Sequence, residues 1–168
     1  LATTTGVVDG GATAIDLNQT PGDIVILSAA DSELAALAIA SDLMPEGKPT
    51  QRLANLLQLQ HNYSVDLYTE QTLVPAKLII VRLLGGKSYW PYGVARLCEL
   101  SNVKLVFLPG GTEQDPELQS LSNVGAEDWE ALRSYFASGG ADNIRGVLDY
   151  ARWMLRHGAK PNAATFFG

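Results

Sequence analysis

Short apolar runs recur along the chain and predict the strands of a buried sheet. Two of them are Ile24-Val25-Ile26-Leu27 and Leu78-Ile79-Ile80-Val81, and a third covers residues 103–108. Each run is short, contains β-branched residues and lacks polar alternation, which is typical of strands covered on both faces. A weaker alternating pattern around Ile15 predicts a short edge strand.

Helical patterns lie between and after these runs. An Ala/Leu-rich segment over residues 34–44 follows Asp31, which we expect to act as the helix cap. Shorter helices are predicted over residues 64–73 and 92–100, and residues 53–59 fit either a strand or a helix. The alternation predicts an α/β fold, specifically a flavodoxin-like doubly wound parallel sheet with two C-terminal helices.

The pattern also predicts how the chain is divided. We expect a flexible N-terminal arm over 1–13, an α/β domain over 14–125, a C-terminal helical pair over 126–158 and a tail over 159–168. Residues 112–125 predict a polar loop with a short turn. The pattern leaves open whether the helical pair packs on the sheet or begins a second domain.

Composition narrows the class of protein. The 168 residues carry 12 basic and 18 acidic side chains, a net charge of −6, which argues against a nucleic-acid partner and a basic membrane-surface protein. No apolar stretch approaches the about 18 residues of a membrane helix, and no signal-peptide pattern is visible. The one cysteine, Cys98, allows no internal disulfide, and we expect it to be a small core residue. These features predict a cytoplasmic protein without a membrane partner.

A glycine-rich stretch after the second run invites comparison with phosphate-binding loops. Gly85-Gly86-Lys87-Ser88 matches the end of the G-x-x-x-x-G-K-[ST] pattern, but Val81 stands where its first glycine belongs. The following Tyr89-Trp90-Pro91 delays the helix whose N-terminus would face the phosphates. The sequence therefore disfavours a nucleotide-binding P-loop.

The same stretch contains the candidate binding residues. In open parallel sheets, ligands bind beyond the carboxyl ends of the strands, where this stretch is predicted to lie. Its cations and rings suit a flat, carboxylate-bearing ligand. The candidate substrate-binding residues are Arg82, Gly85, Gly86, Lys87, Tyr89, Trp90 and Tyr92. The alternative is that the rings only pack against neighbouring structure, which is the commoner role of aromatic side chains.

Three segments together resemble a known family. They are residues 19–31, residues 64–68 and above all Val81-Arg82-Leu83-Leu84-Gly85-Gly86-Lys87-Ser88-Tyr89-Trp90-Pro91-Tyr92-Gly93. Their order and spacing resemble the N-terminal region of the large subunit of aerobic ATP-dependent cobaltochelatase, the CobN family, which is related to the magnesium chelatase large subunit. The resemblance covers roughly residues 14–157 of this chain and a small part of the family's much longer subunit.

The resemblance implies a role in inserting Co²⁺ into hydrogenobyrinic acid a,c-diamide during cobalamin biosynthesis. In that family the large subunit binds the tetrapyrrole and the metal, while separate AAA+ subunits hydrolyse ATP. The implied partners are the remainder of the large subunit, the AAA+ subunits and the corrinoid substrate. The complex uses Co²⁺ and ATP, and no cofactor is expected in this chain.

The resemblance transfers no catalytic or metal-ligating residue to this chain. We expect the chain by itself to lack chelatase activity, because the family's metal-insertion region lies elsewhere in the subunit. The resemblance implies that the chain contributes to tetrapyrrole binding or to subunit docking. Two other hypotheses remain: a structural interaction module without a ligand, and an independent flavodoxin-like protein that binds a phosphorylated cofactor.

Overall fold

A computed structural model describes residues 5–9 and 12–165. Its strands are β1 (Thr5–Asp9), β2 (Ala12–Asp16), β3 (Ile24–Ser28), β4 (Gln51–Asn55), β5 (Leu78–Leu83) and β6 (Lys104–Pro109). Its helices are α1 (Asp31–Asp42), α2 (Asn62–Tyr68), α3 (Pro91–Cys98), α4 (Pro116–Leu121), α5 (Ala126–Ser138) and α6 (Ala141–Met154). Short 3₁₀ turns cover Leu56–Leu59 and Lys87–Tyr89, and a π-helical turn covers Thr69–Leu73.

The centre of the molecule is a parallel sheet of four strands in the order β4-β3-β5-β6. Ile24 pairs with both Gln51 and Leu78, and Leu78 pairs with Lys104. The chain moves outward from β3 to β4, then crosses back to β5 on the other side, so the strand order reverses between β3 and β5. This order is that of flavodoxin-like sheets and confirms the predicted fold class.

Helices cover both faces of the sheet because successive strand residues point to opposite sides. Ile26, Ile80 and Val106 pack against α1, α5 and α6 on one face. Leu27, Val81 and the other alternate residues pack against α2, α3 and α4 on the second face. The last two helices therefore lie on the sheet, which answers the question that the sequence left open.

The N-terminal part differs from the prediction. Residues 5–9 belong to the predicted arm, yet β1 pairs antiparallel with β2 as a hairpin. The backbone hydrogen bonds of the hairpin, together with the bond from the Ile15 N–H to the Ser64 hydroxyl of α2, hold this segment in place. Residues 12–13 of the predicted arm belong to β2, whereas positions 1–4 and 10–11 of the arm and positions 166–168 of the tail lie outside the described residues.

Three local predictions need correction. Residues 116–121 form α4 rather than loop, because Asp115 accepts the Leu118 backbone N–H as a helix cap. Asp31 is the first residue of α1 and accepts a bond from Asn55 instead of capping the helix. Cys98 is exposed at the end of α3, not in the core. The undecided residues 53–59 divide between the end of β4 and a 3₁₀ turn.

No helix in the described part of the chain is long and apolar enough to cross a membrane.

Candidate functional site

A crevice opens at the carboxyl ends of β3 and β5, where the strand order reverses. Parallel sheets bind ligands at this position because the loops on either side run in opposite directions. The crevice has a volume of about 230 Å³. It is lined by Ser28, Ala29, Ala30, Glu33, Leu57, Arg82, Leu84, Tyr89 and Gly110.

An ion pair closes the floor of this crevice. The Arg82 Nη2 atom lies 3.0 Å from the Glu33 Oε1 atom, and both side chains are largely buried, at 7% and 14% exposure. The other carboxylate oxygen of Glu33 accepts a bond from the Ser28 hydroxyl at 2.8 Å. Arg82 also donates to the carbonyl oxygens of Pro109 and Gly111. The guanidinium therefore joins β5, α1 and the end of β6, and its donors are used inside the protein.

The Trp90 side chain lies in the core rather than on the rim. Its exposure is 5%, and its indole Nε1 donates to the Leu59 carbonyl at 2.8 Å. The expectation that this ring faces outward is wrong. Gly93 makes the burial possible, because a Cβ atom there would lie 2.0 Å from the indole. The placement favours the packing interpretation of Trp90.

Tyr92 is half-buried and bound to α2. Its hydroxyl donates to the Asp66 carboxylate at 2.7 Å, and Arg96 donates to the same oxygen at 2.9 Å. This hydrogen bond, together with burial, raises the pKa of the Tyr92 phenol. The ring therefore connects α3 to α2 and does not line the crevice.

Gly85 and Gly86 form the tight turn that leads out of β5. Their φ angles of 88° and 81° lie in the left-handed region that favours glycine. The Gly86 N–H donates to Leu83, and the Tyr89 N–H donates back to Gly86. These two amides are used within the turn and are not free to bind a phosphate.

The rim of the crevice carries the exposed groups. We define the rim by the side chains of Leu57, Leu84 and Tyr89, which line the crevice, together with Lys87, which lies beside them on the same 3₁₀ turn as Tyr89. Leu57 is 50% exposed, Leu84 61% and Tyr89 37%. Lys87 is exposed as well, and it forms no ion pair with any residue in the described ranges. Three apolar groups thus face solvent above a closed floor, and one exposed cation lies on the adjoining turn.

The predicted site residues divide between these two environments. Arg82 and Tyr89 line the same crevice, whereas Trp90 and Tyr92 turn away from it. Sequence reasoning missed Glu33 as the partner of Arg82, because the two residues lie 49 positions apart. The sequence did carry a signal for this pair, because Glu33 lies in the first turn after β3 and parallel strands end at the same edge of a sheet.

The described residues contain no group of three or more His, Cys, Asp or Glu side chains placed to hold a metal ion. The fold and the crevice together define a doubly wound α/β domain with an exposed rim at its strand ends.

Similarity to known proteins identifies the family. The chain is 43% identical over 162 residues to an aerobic cobaltochelatase subunit CobN of Sinorhizobium sp, which covers 95% of this chain and 13% of that protein. It is 45% identical over 129 residues to the corresponding subunit of Pseudomonas aeruginosa, with 76% and 10% covered. The chain is therefore homologous to part of the aerobic cobaltochelatase subunit CobN, which confirms the resemblance found in the sequence.

A solved structure supports the same assignment. The catalytic subunit of cobaltochelatase from Mycobacterium tuberculosis matches 88% of this chain and 12% of its own length, with a TM-score of 0.68 and 26% identity. No protein-family model matches the chain. The chain thus spans about an eighth or less of the length of these relatives.

Proposed function

We propose that this chain is an N-terminal domain of a cobaltochelatase large subunit and that it docks other parts of the enzyme through the rim. The enzyme would insert Co²⁺ into hydrogenobyrinic acid a,c-diamide for cobalamin biosynthesis, with ATP hydrolysed by AAA+ partner subunits. Homology to CobN over nearly the whole chain supports the assignment to such a subunit. The docking role rests on the geometry of the rim.

The proposal is supported by the exposed apolar side chains that surround the crevice. Leu57, Leu84 and Tyr89 lie together at the carboxyl ends of the strands, and each leaves a large apolar side chain in water. Clustered exposed apolar groups are typical of surfaces that contact another protein. Lys87 at the same rim adds a charge that can pair with a carboxylate on the partner.

Docking fits the crevice better than enclosure of a tetrapyrrole. The crevice volume of about 230 Å³ is below the roughly 300–1,000 Å³ of pockets that surround a ligand. Arg82 and Trp90, two of the groups expected to grip the ligand, are bound within the protein. The surface available at this end is therefore a rim for contact rather than a pocket.

Complementation in trans tests the docking role. The Sinorhizobium subunit would be prepared without its matched stretch and mixed with this chain, and binding would be measured by calorimetry. We expect Leu84→Asp to weaken binding by about tenfold or more, because a charge replaces an apolar contact at the interface centre. Val74→Asp is the matched control, since Val74 is similarly exposed at 55% but precedes β5 at the opposite end of the sheet.

Either of two results would contradict the docking proposal. The first is that the unsubstituted chain, shown by circular dichroism to be folded, does not bind the truncated subunit. The second is that Leu84→Asp and Val74→Asp weaken binding equally.

A second candidate function is contact with the edge of the tetrapyrrole. Tyr89 and Lys87 are exposed on the same 3₁₀ turn, and a ring beside a cation suits an apolar ligand with peripheral carboxylates. Titration with hydrogenobyrinic acid a,c-diamide should then quench the fluorescence of the neighbouring Trp90. The quenching should be lost in Lys87→Ala with Tyr89→Ala and retained in Val74→Asp; no quenching by the corrinoid would remove this candidate.

A further inference from the structure

Strand β4 forms one outer edge of the sheet, and its hydrogen-bonding groups point alternately toward β3 and away from it. The Ile24 N–H donates to the Thr50 carbonyl at 2.9 Å, which orients Thr50 toward β3. Because orientation alternates along a strand, Gln51, Leu53 and Asn55 direct their backbone groups outward. These three residues form what we call the β4 edge.

The opposite edge of the sheet, formed by β6, is fully capped. The Leu105 N–H donates to the Asn123 side chain at 2.6 Å, and its carbonyl accepts the Asn123 backbone N–H at 3.0 Å. The Phe107 N–H donates to Ser122 at 2.9 Å, and its carbonyl accepts the Trp129 indole at 2.8 Å. No outward group of Leu105 or Phe107 remains for another strand, which is how proteins protect a sheet edge.

The β4 edge is capped only in part. The Gln19 amide donates to the Leu53 carbonyl at 2.9 Å, and the Arg52 guanidinium donates to the Gln51 carbonyl at 2.8 Å. Both caps are side chains, and the N–H of an added strand can replace each of them. The backbone N–H groups of Leu53 and Asn55 have no acceptor within the described ranges. This edge therefore presents a row of donors at the two-residue spacing of strand carbonyls.

A groove runs along this edge between two walls. The residues 18–20 form one wall, and Leu34, Ala35 and Ala38 of α1 form the other. The two walls lie on opposite faces of the sheet, because Leu17 belongs to the core of one face and α1 packs on the other. The groove has a volume of about 730 Å³. An edge strand beside a helix is the arrangement that domains use to bind an extended peptide by strand addition.

We propose that the β4 edge binds an extended segment of the same large subunit as an added strand. This inference rests on the proposed function, since the occupant is a segment of the polypeptide that extends beyond this domain. The relatives are longer than the matched stretch by a factor of about eight or more, so most of such a subunit lies outside it. The β6 edge is closed to a strand, which leaves the β4 edge as the only open side of this sheet among the described residues.

The walls of the groove favour a single strand over a second copy of the domain. In an edge-to-edge dimer, the β4 strands of two copies would have to come within about 4.8 Å of each other. Each β4 edge lies between its own residues 18–20 and α1, so the walls of the two copies would meet first. A lone extended segment has no such walls and can reach the edge.

Peptide binding tests the proposal. Short synthetic peptides that tile the Sinorhizobium subunit outside its matched stretch would be mixed with the isotope-labelled chain, and amide exchange would be followed by NMR. We expect one peptide to slow the exchange of the Leu53 and Asn55 amides by about tenfold or more, since strand pairing protects outward N–H groups. Amides on the β6 edge should not change.

Two variants test whether the peptide that protects the Leu53 and Asn55 amides binds in the groove. Ala38 is exposed on the α1 wall, so Ala38→Arg should fill the groove, leave the fold intact and weaken peptide binding by about tenfold. Ala95 is exposed on α3 away from the groove, and Ala95→Arg is the matched control that should bind normally. Leu84→Asp should also bind the peptide normally, so failure at the rim and failure at the β4 edge are distinguishable.

The proposal is overturned if no peptide protects Leu53 and Asn55, or if Ala38→Arg binds as well as Ala95→Arg. Protection that rises with the concentration of the chain alone, together with dimers in sedimentation, would show a second copy at the edge and would equally overturn it.

Discussion

The short stretch from Arg82 to Trp90 supplies both buried side chains and exposed side chains of the rim, and the two sets differ in what they can do. Arg82 and Trp90 are buried, and their polar atoms are bound to Glu33 and to backbone carbonyls. Leu84 and Tyr89 project into solvent from the turn between them. The difference shows that a distinctive sequence string can serve stability at some positions and leave others available for contact.

The largest loss of stability is expected from a substitution in the floor of the crevice. Arg82→Ala would leave the Glu33 carboxylate and the Pro109 carbonyl without their partner in a buried place. Breaking one side of a buried ion pair costs about 3–5 kcal/mol, so we expect a loss of that size in the free energy of unfolding, measured with urea.

A double substitution shows whether the loss comes from the unpaired charge. Arg82→Met with Glu33→Met removes both charges, and it should be more stable than Arg82→Ala because no buried charge remains unpaired. If Arg82→Ala changed the free energy of unfolding by less than about 0.5 kcal/mol, the size of an ordinary surface effect, the floor would not be structural.

The second largest loss of stability is expected from a substitution that disturbs the packing of Trp90. Gly93→Ala would place a Cβ atom 2.0 Å from the indole, which is buried and bound to Leu59. Overpacking of this kind costs about 1–3 kcal/mol, more than the gain in helix propensity. The loss should be smaller in a Trp90→Leu background, where the ring is absent, and a double-mutant cycle measures the difference. Equal losses in both backgrounds would contradict the assigned clash.

Most of the sheet was predictable from sequence, because each central strand is a short apolar run. The alternation of strands and helices was sufficient for the fold class, since buried parallel strands lack polar alternation. The alternation around Ile15 corresponds to β2, but its hairpin partner β1 was not predicted, because this pairing depends on backbone hydrogen bonds and on contacts between β2 and α2. Helix α4 was missed because proline is frequent in turns, although it also suits the first turn of a helix, where Pro116 lies.

The candidate site was only partly predictable. The sequence placed Arg82, Lys87 and Tyr89 at the strand ends, and the structure brings Arg82 and Tyr89 to one crevice. It did not show which rings face inward, because that depends on the depth of the core beneath α3 and on the space left by Gly93. Residue types alone do not distinguish a stacking ring from a packed one.

A smaller loss of stability is expected at a second ion pair, in which the carboxylate is about half exposed. Arg133 donates to Glu130 on the surface of α5, and this hydrogen bond lowers the pKa of the Glu130 carboxyl to about 2, with burial opposing. Because the pKa of the folded state is lowered, the stabilisation is present above about pH 4.5 and is lost as the pH falls toward 2. The Glu130 side chain is 47% exposed, so solvent screening keeps the contribution below about 1 kcal/mol.

Glu130→Gln measures this contribution. The variant should be slightly less stable than the parent near neutral pH, and urea unfolding at a series of pH values should show the difference vanishing in acid. A difference that grows as the pH falls would contradict the assigned sign.

The smallest loss of stability is expected at the rim. A near-zero change in the free energy of unfolding is what distinguishes the rim from the floor. Leu84 is 61% exposed, so Leu84→Asp removes little packing and places the new charge in water. We expect the free energy of unfolding to change by no more than about 0.5 kcal/mol, as for other surface substitutions, while binding to the truncated subunit falls by about tenfold. A loss of several kcal/mol in the free energy of unfolding would show that Leu84 supports the turn against Gly110. The rim would then have a structural role, like the floor. Unchanged stability with reduced binding requires that the side chain acts on something outside the domain.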